Sequence, residues 1–170
     1  MKLYSDSYIE MLEPMVSDHG MGNTGPKYKN QILEVYKEYA CTNMLDYGAG
    51  WGSLKDSLQP STIPILEYEA TRKDTLENRI KSDLLVCVDV LEHIELPYLE
   101  NVFNDLKALT GIVSFITIST RASSKLLPDG RNAHLIIKPR KFWLKNYNKY
   151  FNTYKMTENV DTIILIGNPK

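Results

Sequence analysis

The sequence predicts an α/β domain with a mostly parallel sheet, helices on both faces and an antiparallel hairpin at its C-terminal edge. Three observations carry that expectation. Strand-like and helix-like segments alternate along most of the chain. The run 83–90 is nearly all apolar, as a strand covered on both faces must be. A short apolar run, Met44-Leu45, ends in Asp46 and then opens into the glycine-rich turn Gly48-Ala49-Gly50-Trp51-Gly52. Strands alternating with helices imply right-handed crossovers and neighbouring parallel strands. With 170 residues and 43% hydrophobic content, one core can form without disulfides or metal. Residues 1–170 are therefore expected to form one unit, with residues 1–26 as an N-terminal flap or cap.

Each element has a local reason. Residues 27–40 place Ile32, Leu33, Val35, Tyr36 and Tyr39 on one helical stripe, and Pro26 stands where a helix start tolerates it. After the glycine turn, residues 52–58 read as a short helix stopped by Pro60, and residues 63–69 as a second strand. Residues 83–90 form the mid-sheet strand. Pro97 opens the clearest helix, with Leu99, Val102, Phe103, Leu106 and Leu109 three and four apart, and Gly111 is expected to end it. A strand over 112–118 and a helix over 140–150 follow. The last two strands, 152–157 and 162–166, flank the turn-like Glu158-Asn159-Val160-Asp161.

Bulk charge does not name a partner, so any nucleic-acid or membrane partner must be met by a local patch. A formal net charge of -1 gives no global attraction to nucleic acid or anionic membrane. Cys41 and Cys87 have no CxxC spacing, and Cys87 lies in an apolar run, which predicts a buried thiol in a reduced, intracellular protein. No apolar run approaches the ~20 residues of a membrane span, and the start of the chain lacks the apolar core of a signal peptide, so a cytoplasmic location is expected. The three histidines are dispersed without zinc spacing, and no metal is expected. Residues 138–155 interleave Lys138, Arg140, Lys141, Lys145, Lys149 and Lys155 with Phe142, Trp143, Tyr147, Tyr150, Phe151 and Tyr154 and contain no acid. Such a mixture binds nucleic acid through phosphates and stacking; more often it is an amphipathic helix with its aromatics in the core.

The pattern Asp46-x-Gly48-x-Gly50-x-Gly52, an acid at the end of the next strand, and Val88-Asp89-Val90-Leu91-Glu92-His93-Ile94 resemble the class I methyltransferases that use S-adenosylmethionine. The resemblance runs in order from the first strand to the terminal hairpin. It implies a Rossmann-like fold, S-adenosylmethionine as cofactor and methyl transfer to a small-molecule acceptor. The nicotinamide pattern Gly-x-Gly-x-x-Gly does not fit, because its third glycine falls on Ser53 in one register and Lys55 in the other.

Cofactor contacts are expected from Asp46, Tyr47, Gly48, Ala49, Gly50 and Gly52, because the glycines, lacking Cβ, let main chain approach a ligand and a following helix start presents free N–H groups. Asp46 is suited to a cationic amino group, or else caps the turn. Glu69, at the carboxyl end of the second strand, is expected to accept hydrogen bonds from a ribose; Glu67 is its competitor on the same face. The resemblance puts Asp89, Val90 and Leu91 beside the cofactor and His93 at the next loop, as a proton acceptor or a packing residue. Between Glu69 and Asp83 there is no room for a full strand and helix, so residues 78–82 are candidates to frame adenine.

The polar loop 119–135 is expected to face the same edge of the sheet. Its Asp129-Gly130 turn would deliver Arg131 and Asn132 to the acceptor and His134 as base, unless these polar groups satisfy one another. Residues 18–25 form a glycine-bearing loop that closes over the cofactor or serves only as a connection. Because methyl transfer needs no obligatory side chain, two alternatives stand: a non-catalytic binder of the cofactor, as sensor, accessory protein or sink, and an enzyme that cleaves it.

Overall fold

In the centre of the sheet Leu84, Leu85, Val86 and Cys87 are consecutive and all fully buried, so both faces must be covered. Leu85 and Cys87 pack with Leu45, Phe103, Leu106, Trp143 and Tyr147 in one layer. Leu84 and Val86 pack with Met44, Ile32, Val35, Leu54 and Phe115 in the other. The computed structural model describes residues 1–59 and 62–170; Pro60, expected to stop a helix, lies outside them.

The strands are β1 (Met44–Tyr47), β2 (Ile65–Tyr68), β3 (Ser82–Val88), β4 (Thr110–Ser119), β5 (Phe151–Glu158) and β6 (Thr162–Pro169), in the order β2-β1-β3-β4-β6-β5. β1 to β4 run parallel. β6 runs antiparallel to both β4 and β5, so the terminal hairpin inserts its second strand next to the parallel set. The helices are α1 (Asp6–Ser17), α2 (Lys29–Glu38), α3 (Ser53–Ser57), α4 (Leu99–Leu109) and α5 (Arg140–Tyr150). α5 buries Trp143, Tyr147 and Tyr150, so its aromatic side is core and is not presented for stacking on bases. Both cysteines are free and buried. Among the described residues no helix is long and apolar enough to cross a membrane.

Two local features differ from the sequence expectation, and a third meets it. α1 was not expected; the Ser5 side chain accepts from Tyr8 N and Asp6 supplies an acid in the first turn, the pattern that starts a helix. Gly111 does not end α4 but lies inside β4. A Cβ there would sit 2.8 Å from Ser82 O, beside the register shift between β3 and β4, so glycine serves a close strand approach. Finally, the segment after β2 forms only a 3-10 helix, Lys73–Asn78. Its side chains take the place of strand hydrogen bonds at the β2 edge: Asn78 Nδ2 donates to Glu67 O at 3.1 Å, and Thr75 Oγ1 bonds both Glu69 N (2.9 Å) and Glu69 O (3.0 Å).

Candidate functional site

The carboxyl ends of β1, β2 and β3 open on a cavity of about 260 Å³ whose lining includes Asp46, Tyr47, Gly48, Ala49, Gly50, Glu69, Asp89, Val90, His93 and His134. In open parallel sheets this edge is where ligands bind, because the strand-to-helix turns converge there.

Three N–H groups of the glycine turn are bonded inside the protein: Gly48 N and Ala49 N donate to Tyr68 O, and Gly50 N donates to Glu69 Oε2 at 3.0 Å. What requires glycine is packing. A Cβ on Gly48 would lie 2.4 Å from Val90 Cγ2, and one on Gly50 (φ +55) would lie 2.6 Å from Gly22 Cα. Gly52 sits behind the turn against Glu67 and does not line the cavity. The loop before α2 thus docks on the turn through Gly22 against Gly50, reinforced by Trp51 Nε1 donating to Asn23 Oδ1 (2.7 Å) and by an edge-on His19–Trp51 contact.

Three carboxylates stand around this turn, and they are not equivalent. Glu67 pairs with Arg72 (3.4 Å) and Lys55 (3.8 Å) and does not line the cavity. Glu69 does line it. Its Oε1 accepts from Thr71 N and Oγ1 (3.1 and 3.0 Å) and its Oε2 from Gly50 N, leaving about one of a carboxylate's roughly four acceptor directions for a ligand hydroxyl. Asp46 is buried at the end of β1, and no hydrogen bond reaches its carboxyl from the described residues. Burial, followed by the nearby charges of Glu67 and Glu69 and opposed by Arg72, pushes its pKa up to about 8. It is therefore an unpartnered acid, protonated at pH 7, that a ligand cation would ionise.

At the end of β3, Asp89 adopts φ 52, a left-handed conformation that aspartate tolerates. β4 holds it there: Thr117 Oγ1 donates to Asp89 Oδ1 at 2.6 Å, and Asp89 N donates to Thr117 O at 3.2 Å. Leu91, by contrast, is fully buried in the core and does not reach the cavity. Glu92, part of the quoted motif but given no role from the sequence, accepts from Ser119 N with Oε1 (2.6 Å), and its carbonyl accepts from Ile136 N (2.9 Å). Complete burial, then the Asp89 charge, drives its pKa far up, so it is a neutral strut joining the β3 turn to β4 and the following loop.

Two imidazoles meet in the cavity wall, His93 and His134, edge to face with centroids 4.7 Å apart. His93 Nδ1 faces Ala133 O at 2.7 Å and His134 Nδ1 faces Arg121 O at 2.6 Å. A carbonyl only accepts, so each Nδ1 carries the hydrogen and each Nε2 is left as the basic atom. Burial, then the neighbouring His134, holds the His93 pKa down to about 4, and this ring stays neutral at pH 7.

The loop 120–135 closes into a small hairpin, with Leu126 bridging Asn132 and Gly130 at φ +85. Of the two acceptor-binding residues expected there, the structure brings neither to the cavity. Arg131 turns back on its own turn and pairs with Asp129 at 2.7 Å. Asn132 is the hairpin's tie: its Oδ1 accepts from Ser123 N and His134 N, and its Nδ2 donates to Ser123 O. Residues 78–82 also stay outside the lining, because Arg79 is turned to Asp105 of α4 (2.9 Å). In their place the cavity gains Tyr4, Tyr8, Ile9 and Leu12 from the N-terminal segment and Ser123 and Lys125 from the hairpin. The signal for α1 was present in the Ser5-Asp6 cap and the i, i+4 pair Tyr8 and Leu12; nothing local distinguished Lys125.

No protein-family model matches the chain, and no curated protein sequence matches it. Solved structures do. A 1,6-didemethyltoxoflavin N1-methyltransferase from Burkholderia thailandensis, crystallised with its acceptor and S-adenosylhomocysteine, is 10% identical over 100% of this chain and 92% of its own, with a TM-score of 0.71. The chain has the class I methyltransferase fold. An S-adenosylmethionine-dependent methyltransferase from Clostridium acetobutylicum aligns at TM-score 0.65, 12% identity and coverage of 96% and 98%. A magnesium protoporphyrin IX methyltransferase from Synechocystis, with S-adenosylmethionine bound, aligns at 0.55, 13%, and 84% and 80%. At these identities the likeness concerns the fold.

Proposed function

We propose that this protein is a methyltransferase that binds S-adenosylmethionine at the turn after β1 and methylates a small molecule. The observation that carries this reading is the buried, unpartnered carboxyl of Asp46 beside Glu69 at the carboxyl edge of the sheet: a cation and a hydroxyl are what such a pair lacks. Asp46 takes the ligand's ammonium group, Glu69 takes a ribose hydroxyl, and the main chain at Asp89 and Val90 walls the other side. Bound there, S-adenosylmethionine would supply an electrophilic methyl on a sulfonium, transferable to an acceptor's lone pair with the carbon–sulfur electrons retained by sulfur. The protein's part is to align the acceptor, exclude water and receive its proton. His134 Nε2 is the proton acceptor, held by the Arg121 carbonyl at Nδ1; His93, at about 4, is too weak a base at neutral pH and braces His134 edge-on. The N-terminal segment, through α1 and the Gly22 contact, acts as the cover of the site.

Calorimetric titration with S-adenosylmethionine, S-adenosylhomocysteine and NAD in parallel tests the proposal. Binding of the first two and not NAD supports it, and binding of NAD alone, or of none, overturns it. A cofactor bound without any methylated product from an acceptor screen points to a sensor or sink.

The Asp46 assignment also predicts a pH dependence. With its pKa at about 8 in the free protein, Asp46 carries a proton at pH 6 and 7, and a ligand ammonium must expel it. Affinity for S-adenosylhomocysteine is therefore expected to rise by up to about tenfold per pH unit from 6 to 8 and to level off above. Calorimetry in two buffers of different ionisation heat should show close to one proton released at pH 7 and none for Asp46→Asn. Affinity that is flat with pH in the native protein would rule out this role.

Turnover tests His134. With the first acceptor that a screen returns, His134→Gln is expected to lower kcat about a hundredfold with little change in cofactor affinity. Full turnover in that variant removes His134 as the base.

A further inference from the structure

Charge is segregated along the cavity. The three carboxylates that line it, Asp46, Glu69 and Asp89, stand at the ends of β1, β2 and β3. The hairpin 120–135 contributes Ser123, Lys125 and His134 to the lining and no acid. Its own carboxylate, Asp129, is engaged by Arg131. Lys125 has no ion-pair partner among the described residues, yet its origin is fixed: Lys125 N donates to Ser123 Oγ (3.1 Å) and Lys125 O accepts from Ala133 N (3.0 Å). Its charge reaches the imidazole pair, since it adds to burial and His134 in disfavouring protonated His93. The same cavity is lined by Tyr8, Ile9 and Leu12 of α1, with the Tyr8 hydroxyl donated to the His93 carbonyl.

We propose that the methyl acceptor is an anion: a compact molecule with an apolar body, a carboxylate or similar oxyanion held by Lys125, and a separate O–H or N–H directed at His134. The inference rests on the methyltransferase reading and assigns the substrate class of that same site. α1 covers the apolar body, and Lys125 sets orientation, because an oxyanion anchored on the hairpin leaves the opposite end of the molecule free to meet His134. Sequestering the carboxylates at the strand ends keeps like charge away from such an acceptor, whereas a cationic acceptor would find Lys125 in its way.

A matched pair of probes tests this. 4-Hydroxybenzoate and the neutral 4-hydroxybenzamide have nearly the same shape, and each is titrated by calorimetry into the native protein, K125Q and the control K141Q, whose lysine lies on α5 away from the cavity, with and without S-adenosylhomocysteine. The native protein and K141Q are expected to bind the benzoate about tenfold more tightly than the amide, and K125Q to bind the two within about threefold of each other. A native protein that takes both probes equally, prefers the amide or takes neither overturns the proposal, as does a preference that survives in K125Q. Because the ratio is also read on the free protein, failure of S-adenosylhomocysteine to bind overturns the cofactor reading separately from the anion preference.

Discussion

A Gly50→Val variant is expected to lose all calorimetrically measurable affinity for S-adenosylhomocysteine while keeping its fold. Two costs combine at this position. The backbone there is left-handed, at φ +55, and the new Cβ would lie 2.6 Å from Gly22 Cα and 3.4 Å from Met21 O. Those atoms are backbone, so no rotamer relieves the contact. Either the loop before α2 lifts from the turn or the turn itself shifts, and in both cases the Gly50 N–H moves away from Glu69 Oε2. Strain and overpacking of this kind cost about 1–3 kcal/mol, which a domain of this size survives, because the damage lies in loops outside both core layers. Gly130→Ala is the control. It places a side chain at φ +85 with nothing within 4 Å, so it is expected to cost about 1 kcal/mol and leave affinity unchanged. Retained affinity in Gly50→Val, with the circular dichroism of a folded protein, would remove the turn from the cofactor site.

The second large effect is on stability. Asp105 of α4 is 5% exposed at its side chain, accepts from Arg79 Nε and Nη2 on Oδ1 (3.1 and 2.9 Å) and accepts from Tyr47 Oη on Oδ2 (3.0 Å). Arg79 also lies over the Tyr68 ring, 5.9 Å from its centroid. Asp105→Ala leaves a guanidinium and a buried phenol without their acceptor, and is expected to cost about 3 kcal/mol, the lower part of the range for a broken buried pair because Arg79 is partly exposed. Urea unfolding measures this directly; a loss under about 1 kcal/mol would show that water replaces the carboxylate. Tyr47→Phe, which removes one hydrogen bond and keeps the ion pair, is expected to cost about 1 kcal/mol. The network matters for the site because Tyr68 carries the carbonyl that holds Gly48 and Ala49.

That network shows where legibility ended. The alternation of elements, the mid-sheet position of β3, the extent of α5 and the terminal hairpin are local consequences of apolar periodicity and turn residues, and each could be read from the chain. So could the positions of Asp46, Glu69 and Asp89, because a strand's carboxyl end is defined by where its apolar run stops. The shortened stretch after β2 was also visible as a length, but its replacement by Thr75, Asn78 and Arg79 was not, since their partners Glu69, Glu67 and Asp105 differ in sequence distance and only one lies in the same loop. Arg131 and Asn132 were read toward the acceptor because polar residues beside a turn carry no sign of direction; hydrogen bonds within the hairpin decide it.

By itself, then, the sequence determined the class of fold, the sheet edge on which the cavity opens and the carboxylates that line it, because these follow from periodicity and from where strands end. Only the tertiary structure decided that the glycines are needed against Val90 and Gly22, that His93 and His134 form a pair across 41 residues, and that α1 and Lys125 complete the cavity. The physical reason is common to all of these. They are contacts between segments distant in the chain, whose partners are chosen by packing of the whole sheet and not by the composition of either segment.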